Sequence, residues 1–365
     1  MRGSRAGDRR PRAGMSGAGP IPDLVVIGGG PVGLACAIEA RLDGMDVLIV
    51  EPRDGPIDKA CGEGLMPGAL AALHRIGVDP AGHPLAGIAY IDDDTRVEHR
   101  FAERPGRGVR RTVLHAALAR RAEELGARSR DGRVSGLTQQ RDRVRLELAD
   151  GTGLEAPWAI AADGLHSPVR RMLGLERRPQ AEARRRYGVR RHYAVEPWSE
   201  LVEVHWSPAA EAYVTPVDEH TVGVAVLGRR PLDQDAVLDT LPALASRLAG
   251  STVVGSARGA GPLLQRARAR ASGHVLLAGD ASGYVDALTG EGMRVGFAQA
   301  RAAVAAVRTR DTEQYERAWR ATTRDFRMLT SALVIASRSR FRPRIVPTAA
   351  ARPELFGSIV ERLSR

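Results

Sequence analysis

Lysine is nearly missing from this chain: of 54 basic residues Lys59 alone is a lysine, and every other one is arginine. Aromatic residues make up only 4%, and cysteine occurs twice, at Cys36 and Cys61. Two cysteines, one of them (Cys36) inside a helical pattern, rule out a disulfide framework and point to a reducing cytoplasm. No window approaches the roughly 18 consecutive apolar residues of a membrane span. The best run is Leu333 to Ala336. Residues 1–20 are rich in Arg, Gly and Pro and lack an apolar h-region, so they read as a disordered tail and not as a secretory signal. The nine histidines show no metal-ligand spacing, and no metal is expected. A formal charge of +11 would suit nucleic acid, but the tail carries five arginines against Asp8 and the rest is scattered along the chain. No nucleic-acid partner is expected. Arg338, Arg340, Arg342 and Arg344, beside an apolar helix, are a candidate for touching a membrane surface.

What the chain does have is a glycine-punctuated start. Leu24 to Ile27 reads as a buried strand and ends in Gly28-x-Gly30-x-x-Gly33, after which alanine-rich helical spacing begins at once. A second β-run, Val47 to Val50, closes on Glu51. This is a strand-turn-helix-strand unit of the length expected for dinucleotide binding. Gly28 allows the tight turn, Gly30 lets backbone approach a pyrophosphate, and Gly33 permits close packing of helix on strand. The helix N-terminus offers free N–H groups and partial positive charge to the phosphates. Glu51 falls where a carboxylate accepts from an adenosine ribose.

An irregular loop, residues 52–67, carries Lys59-Ala-Cys61-Gly62-Glu63 and leads to a short helix at about 69–76. Residues 85–104 alternate as a hairpin, and a helix runs from Arg110 to about Leu125. Three β-runs, 133–138, 144–149 and 154–161, suggest a small meander. The last ends in Asp163-Gly164-x-x-Ser167-x-x-Arg170. Four antiparallel strands are expected at 187–195, 201–206, 212–217 and 221–227, carrying Tyr193, Trp206 and Tyr213; a helix follows at about 235–249. The chain then repeats dinucleotide-domain grammar. A strand at 274–278 ends in Gly279-Asp280, a glycine-rich turn runs to Gly290-Glu291-Gly292-Met293, and a helix spans about 293–307. Two helices, near 312–327 and 328–337, and a basic tail finish the chain.

The three motifs in this order resemble the para-hydroxybenzoate-hydroxylase-like FAD enzymes, a group that includes aromatic monooxygenases, flavin halogenases and geranylgeranyl reductases. The similarity covers about residues 22–330. It implies an α/β fold: a Rossmann-type FAD-binding domain with an inserted antiparallel-sheet substrate domain. The expected division gives residues 21–84, 105–175 and 265–330 to the FAD-binding domain. Residues 85–104 and 176–264 form the substrate sheet, and 331–365 a helical basic segment. By the same resemblance Glu51 binds the adenosine ribose, Arg111 and Asp280 hold the FAD, and Asp163 serves flavin and pyridine-nucleotide binding.

Lys59-Ala-Cys61-Gly62-Glu63 and Thr289-Gly290-Glu291-Gly292-Met293 look most like the geranylgeranyl-reductase branch. The Trp-x-Trp-x-Ile-Pro element of halogenases is absent. Gly279, Gly290, Gly292 and Met293 are expected against the flavin, where a helix start lowers the energy of negative charge. Cys61 and Lys59 are candidate catalytic residues: a thiol beside the flavin, and the lone lysine of an arginine-rich chain. Tyr193, Trp206 and Tyr213 are candidate substrate contacts. These features point to a flavoenzyme that uses FAD and NAD(P)H on a small aromatic or lipidic substrate. The aromatic sheet leans towards a monooxygenase, with reduction of isoprenoid double bonds as the alternative.

Overall fold

The structure is a computed structural model that describes residues 20–177 and 185–365. The stretch read as a tail, apart from Pro20, lies outside the described residues. Leu24–Ile27 (β1) is buried along its whole length, Pro31–Leu42 (α1) follows the glycine turn, and Val47–Glu51 (β2) returns parallel to β1. An uninterrupted apolar strand must be covered on both faces. Here α1, Arg111–Glu124 and Gly292–Thr309 cover one face through Leu24 and Val26. A three-stranded meander (134–139, 144–148, 153–156) covers the other through Val25 and Ile27.

The six-stranded sheet runs Ala271–Ser272, Val275–Leu277, Trp158–Ala161, β1, β2, Arg128–Asp131, with only the first strand antiparallel. The loops that leave its C-terminal edge carry all three glycine- and aspartate-containing motifs, where open α/β sheets bind ligands. A second sheet of seven strands runs Thr252–Ala260, Tyr187–Ala194, Thr221–Gly228, Glu211–Asp218, Leu201–Trp206, Gly87–Ile91, Arg96–Arg100. The hairpin expected at 85–104 is thus part of the same sheet as the four expected strands. It joins by a parallel pairing of Gly87–Ile91 with Leu201–Trp206, so the sheet is mixed.

Several boundaries differ from the sequence expectation. The β-run at 154–161 breaks at Pro157, which has no N–H to donate; Gly153–Ala156 stays in the meander while Trp158–Ala161 joins the parallel sheet. The helix at 235–249 is two, Gln234–Asp239 and Pro242–Leu248, because proline starts a helix well and continues one badly. The two helices after residue 312 are one, Thr312–Ser337. No Gly or Pro interrupts it, and Tyr315, Trp319, Thr323, Phe326 and Thr330 bury one continuous stripe.

Among the described residues no helix is long and apolar enough to cross a membrane. The four-arginine cluster is not uniformly outward. Arg342 turns in to Glu211 Oε1 (2.6 Å) and to the Ser207 carbonyl (2.7 Å), tying the C-terminal segment to the second sheet.

One of the tightest contacts in the fold is at α1. A Cβ on Gly33 would lie 1.8 Å from the Gly28 carbonyl oxygen, a backbone atom that cannot step aside. Gly33→Ala should therefore lower the unfolding free energy by about 3 kcal/mol, the upper range for overpacking a core. A urea melt reads this, and a midpoint within error of wild type would disprove the close-packing role.

Candidate active site

The C-terminal edge of the parallel sheet and the inner face of the second sheet enclose a cavity of ≈ 250 Å³. Its floor is the β1–α1 turn. Gly28 has φ +104°, and a Cβ there would meet the Ala162 carbonyl at 2.6 Å. Gly30 differs: it lines the cavity, and a Cβ on it would touch nothing within 4 Å. No side chain caps α1, so its first-turn N–H groups face the space above Gly30 unsatisfied by any side chain. Gly292–Thr309 also begins at the cavity without a side-chain cap, after Gly290 at φ +70°. Two helix N-termini therefore direct partial positive charge into one volume.

The expected carboxylates take different places. Glu51 Oε2 accepts from the Gly29 N–H (2.8 Å) and its Oε1 from Arg53 Nε (2.6 Å), so it bridges the end of β2 to the glycine turn. Asp163 lines the cavity: Oδ2 accepts the Val169 N–H (3.0 Å), while Oδ1 is buried with no partner. Burial pushes the Asp163 carboxyl above its ordinary range, against hydrogen bonds that favour the charge. Asp280 pairs with Lys59 Nζ at 3.7 Å across the space. The other residues of the Asp163 motif hold the scaffold. Ser167 Oγ caps the Arg170 N–H (2.9 Å), and the fully buried Arg170 guanidinium donates to Leu165 O (2.9 Å) and Ala281 O (3.0 Å), clamping two loops together.

On the helix side Arg111 Nη1 reaches Met293 Sδ at 3.6 Å, and Arg111 Nε is buried without a partner. Gly279, Gly292 and Met293 complete that wall. Cys61, half-buried, lines the cavity and its Sγ accepts the Glu63 N–H at 3.4 Å. Of the three aromatics only Tyr213 reaches the wall, its hydroxyl donating to Leu288 O (2.7 Å). Tyr193 sits on the opposite face of the sheet, among Val222, Val224 and Leu244. Trp206 lies on the inner face but away from the cavity, against Tyr90 and Arg342. Both depart from the expected substrate contacts, because strand register decides which face a residue occupies.

Sequence reasoning missed a charged group at the same wall: Glu63 and Arg190 line the cavity, and Asp58 and His192 are bonded to them. Arg190 pairs with Asp58, lies 3.6 Å from Glu63, and is 2% exposed. A signal was present, since Arg190 and His192 share one parity of a strand expected to face a ligand.

Glu291, at the start of the second helix, is 1% exposed and bonded to Arg294. Burial raises its carboxyl to about 7, with Arg294 opposing. A raised carboxylate favours the protonated native state, so its contribution to stability is lost as pH rises from about 4.5 to about 7. Thermal melts of wild type and Glu291→Gln between pH 5 and 8 should converge at the acid end and diverge above it, the variant being the less pH-sensitive. Parallel curves would show that Glu291 does not titrate in this window.

A family model described as FAD binding domain matches residues 22–309. Menaquinone reductase of Mycobacterium tuberculosis is 30% identical over 316 residues, 79% of this chain and 77% of that one. Digeranylgeranylglycerophospholipid reductase 1 of Methanopyrus kandleri is 29% identical over 342 residues, 83% and 87%. Rifampicin monooxygenase of Streptomyces venezuelae is 34% identical over 161 residues, 42% of this chain and 34% of that one. Among solved structures the flavin-dependent brominase Bmp2 superposes with TM-score 0.80 at 18% identity over 94% of each chain, a likeness of fold.

The site's residues fit FAD on their own geometry: an open cradle at Gly30, two uncapped helix starts for a pyrophosphate and an electron-rich ring, and unpartnered polar atoms on Arg111 and Asp163. Because the space at Gly30 is empty, Gly30→Val should melt within a few degrees of the wild-type apoprotein yet abolish FAD retention, read as the 450 nm absorbance of purified protein. Full flavin content would sink the cradle assignment. With the match over residues 22–309, the chain belongs to the para-hydroxybenzoate-hydroxylase-like FAD-binding family and is an FAD-dependent oxidoreductase.

Proposed function

We propose that this chain is an NAD(P)H- and FAD-dependent reductase acting on a lipidic, isoprenoid-type substrate. The carrying observation is the wall facing the flavin side. Val202, Ala225, Leu227 and Leu263 of the second sheet and its flank, with Met66 opposite, make an apolar surface bordered by Cys61, Lys59, Glu63, Arg190, Tyr213 and Tyr284. The aromatic sheet that would favour hydroxylation contributes Tyr213 alone. Support also comes from coverage: the two reductases align over about four-fifths of the chain, the monooxygenase over less than half.

FAD, when bound, supplies two-electron transfer between the nicotinamide and the substrate. The chain does the rest. The N–H groups after Gly30 would hold the pyrophosphate, Asp280 and Lys59 would orient the sugar alcohol, and Arg111 with Met293 would hold the ring. The helix starting at Gly292 lowers the energy of negative charge on the ring. The apolar wall excludes water, and the Cys61 thiol is placed to give a proton to the reduced substrate, regained from solvent through its half-exposed side. Oxygenation is the second reading, favoured by the monooxygenase relatives. The peripheral-membrane expectation narrows to exposed Phe341 with Arg340 and Arg344 about its ring, a surface from which a lipidic substrate could be drawn. A cytoplasmic location rests on the two unpaired cysteines.

Anaerobic turnover with NADPH and a polyprenyl quinone should give a product whose isoprenoid side chain, after the ring is reoxidised to the quinone, is heavier by two hydrogens, with no label from ¹⁸O₂ in an aerobic parallel. Product carrying one ¹⁸O, formed only in air, would promote oxygenation. Cys61→Ser should keep FAD and slow this turnover about 10- to 100-fold, part of the usual range for general acid catalysis. An unchanged rate returns Cys61 to packing.

A further inference from the structure

Among the described residues only Glu63 and Arg310 adopt positive φ without being glycine. Arg310 is an ordinary left-handed helix cap. Glu63, at φ +60°, ends no helix and is 4% exposed. A strained backbone persists where its surroundings over-determine it, and Glu63 is held at every polar atom. Its N–H donates to Cys61 Sγ (3.4 Å), and its carbonyl accepts from Val109 (2.8 Å). Oε1 accepts the Arg111 N–H (2.9 Å), and Oε2 accepts from His192 Nε2 (2.6 Å).

His192, 2% exposed, fixes the direction of these bonds. Its Nδ1 faces Arg190 Nη1 (3.0 Å) and Arg110 Nη2 (3.4 Å), and a guanidinium can only donate. Nδ1 therefore accepts, and the ring proton on Nε2 goes to Glu63. Two donations therefore converge on the Glu63 carboxylate: one from Arg190 on the second sheet by way of His192, the other from the backbone N–H of Arg111 on the flavin side. Glu63 also holds the loop that brings Lys59 and Cys61 to the cavity. Burying this many charges is a poor way to gain stability, since apolar packing would hold the elements as well without desolvating ions. What directional bonds add is placement.

We propose that Glu63 and His192 are positioning residues that couple the two halves of the cavity, so that a ligand against the sheet wall and FAD against Arg111 strengthen each other's binding. The proposal rests on the reading that FAD occupies the Arg111 side. Its test uses binding and not turnover. FAD is titrated into apoprotein by fluorescence quenching, with and without saturating 1,4-naphthoquinone as the sheet-side probe. In wild type the quinone should tighten FAD binding about 5- to 150-fold, the usual span of site coupling, and reciprocity requires FAD to tighten the quinone equally. His192→Leu, which removes both the acceptor and the donor, should bring the factor close to one while FAD alone still binds within about threefold of wild type. His192→Gln should restore it, because one carboxamide can accept from Arg190 and donate to Glu63. A factor of one in wild type, an undiminished factor in His192→Leu, or no rescue by His192→Gln would each overturn the coupling. Failure of the wild-type chain to bind FAD at all would instead overturn the flavin reading beneath it. Should His192→Leu prove unfolded by thermal melt, Glu63→Gln should likewise bring the coupling factor close to one, read as the ratio of its FAD affinities with and without quinone whatever its affinity for FAD alone. Its amide cannot accept from both Arg111 N–H and His192 Nε2–H without presenting a donor to one of them.

Discussion

Gly33 lies so close to the Gly28 carbonyl that no side chain fits between α1 and β1, and the position of the whole cavity follows from that contact. The same condition recurs one helix away, where a Cβ on Gly296 would come 2.5 Å from Val32. α1 is thus pressed onto the sheet on one side and onto Gly292–Thr309 on the other. The consequence is electrostatic. Two helices held this near each other start at the same opening, and each presents uncapped N–H groups to it. A methyl group at either glycine would push a helix aside and separate the two dipoles. The positive field of the flavin side thus comes mainly from backbone packing, with Arg111 and Lys59 added at the rim. In a chain carrying so many arginines, that is a distinction composition would not suggest.

On the sheet side charge is handled in the opposite way. Arg186 and Arg190 both project from the inner face and are almost fully buried, each matched by acids arriving from elsewhere in the chain. Arg190 meets Asp58 and Glu63 of the cofactor loop, while Arg186 meets Glu211 (2.5 Å) and Asp286 (3.1 Å) of the turn leading to the second helix. Asp286 is pushed up to about 6, chiefly by burial and with Glu211 adding, so even the Arg186 guanidinium only partly offsets the cost of that site. Ion pairs of this kind contribute little net stability. They do fix where two loops stand against one strand, in a protein whose two sheets share no strand.

The cofactor half was legible in the sequence because its signals are local. Leu24 to Ile27 is uninterrupted, the three glycines have distinct steric duties, and Gly279-Asp280 follows a strand as apolar as the first. Long-range placement was not legible. Thr252–Ala260 is an edge strand with mostly exposed, small side chains, and no alternation marks it. The helix over Thr312–Ser337 looked divided because threonines fill its buried stripe at positions 323 and 330. Tyr193 and Tyr213 looked equivalent, but Tyr193 pairs with Val222 and Tyr213 with Ala225. Those partners are three residues apart on one strand and so face opposite ways. Only the register, set by contacts far apart in sequence, separates a cavity residue from a core residue.

That separation bears on chemistry. The elements proposed to hold flavin (glycine turn, helix starts, Asp280) would be indifferent to what the reduced cofactor does next, and both reductases and monooxygenases stand among the relatives. Reaction class must then be decided by the surface opposite. There the sheet offers small and branched side chains at Ala225, Leu227 and Val202 and one tyrosine whose hydroxyl is already bonded to Leu288, with Tyr284 as a second phenol from the adjoining turn. A wall of this kind can hold a chain of methyl-branched units by contact alone, but it has little with which to orient a polar ring. The only charged side chain on that sheet's share of the wall, Arg190, is itself held by Asp58, His192 and Glu63. Under the proposed reduction, polar recognition on this side would run through a fixed guanidinium, and selectivity for the remainder of the substrate would come from shape.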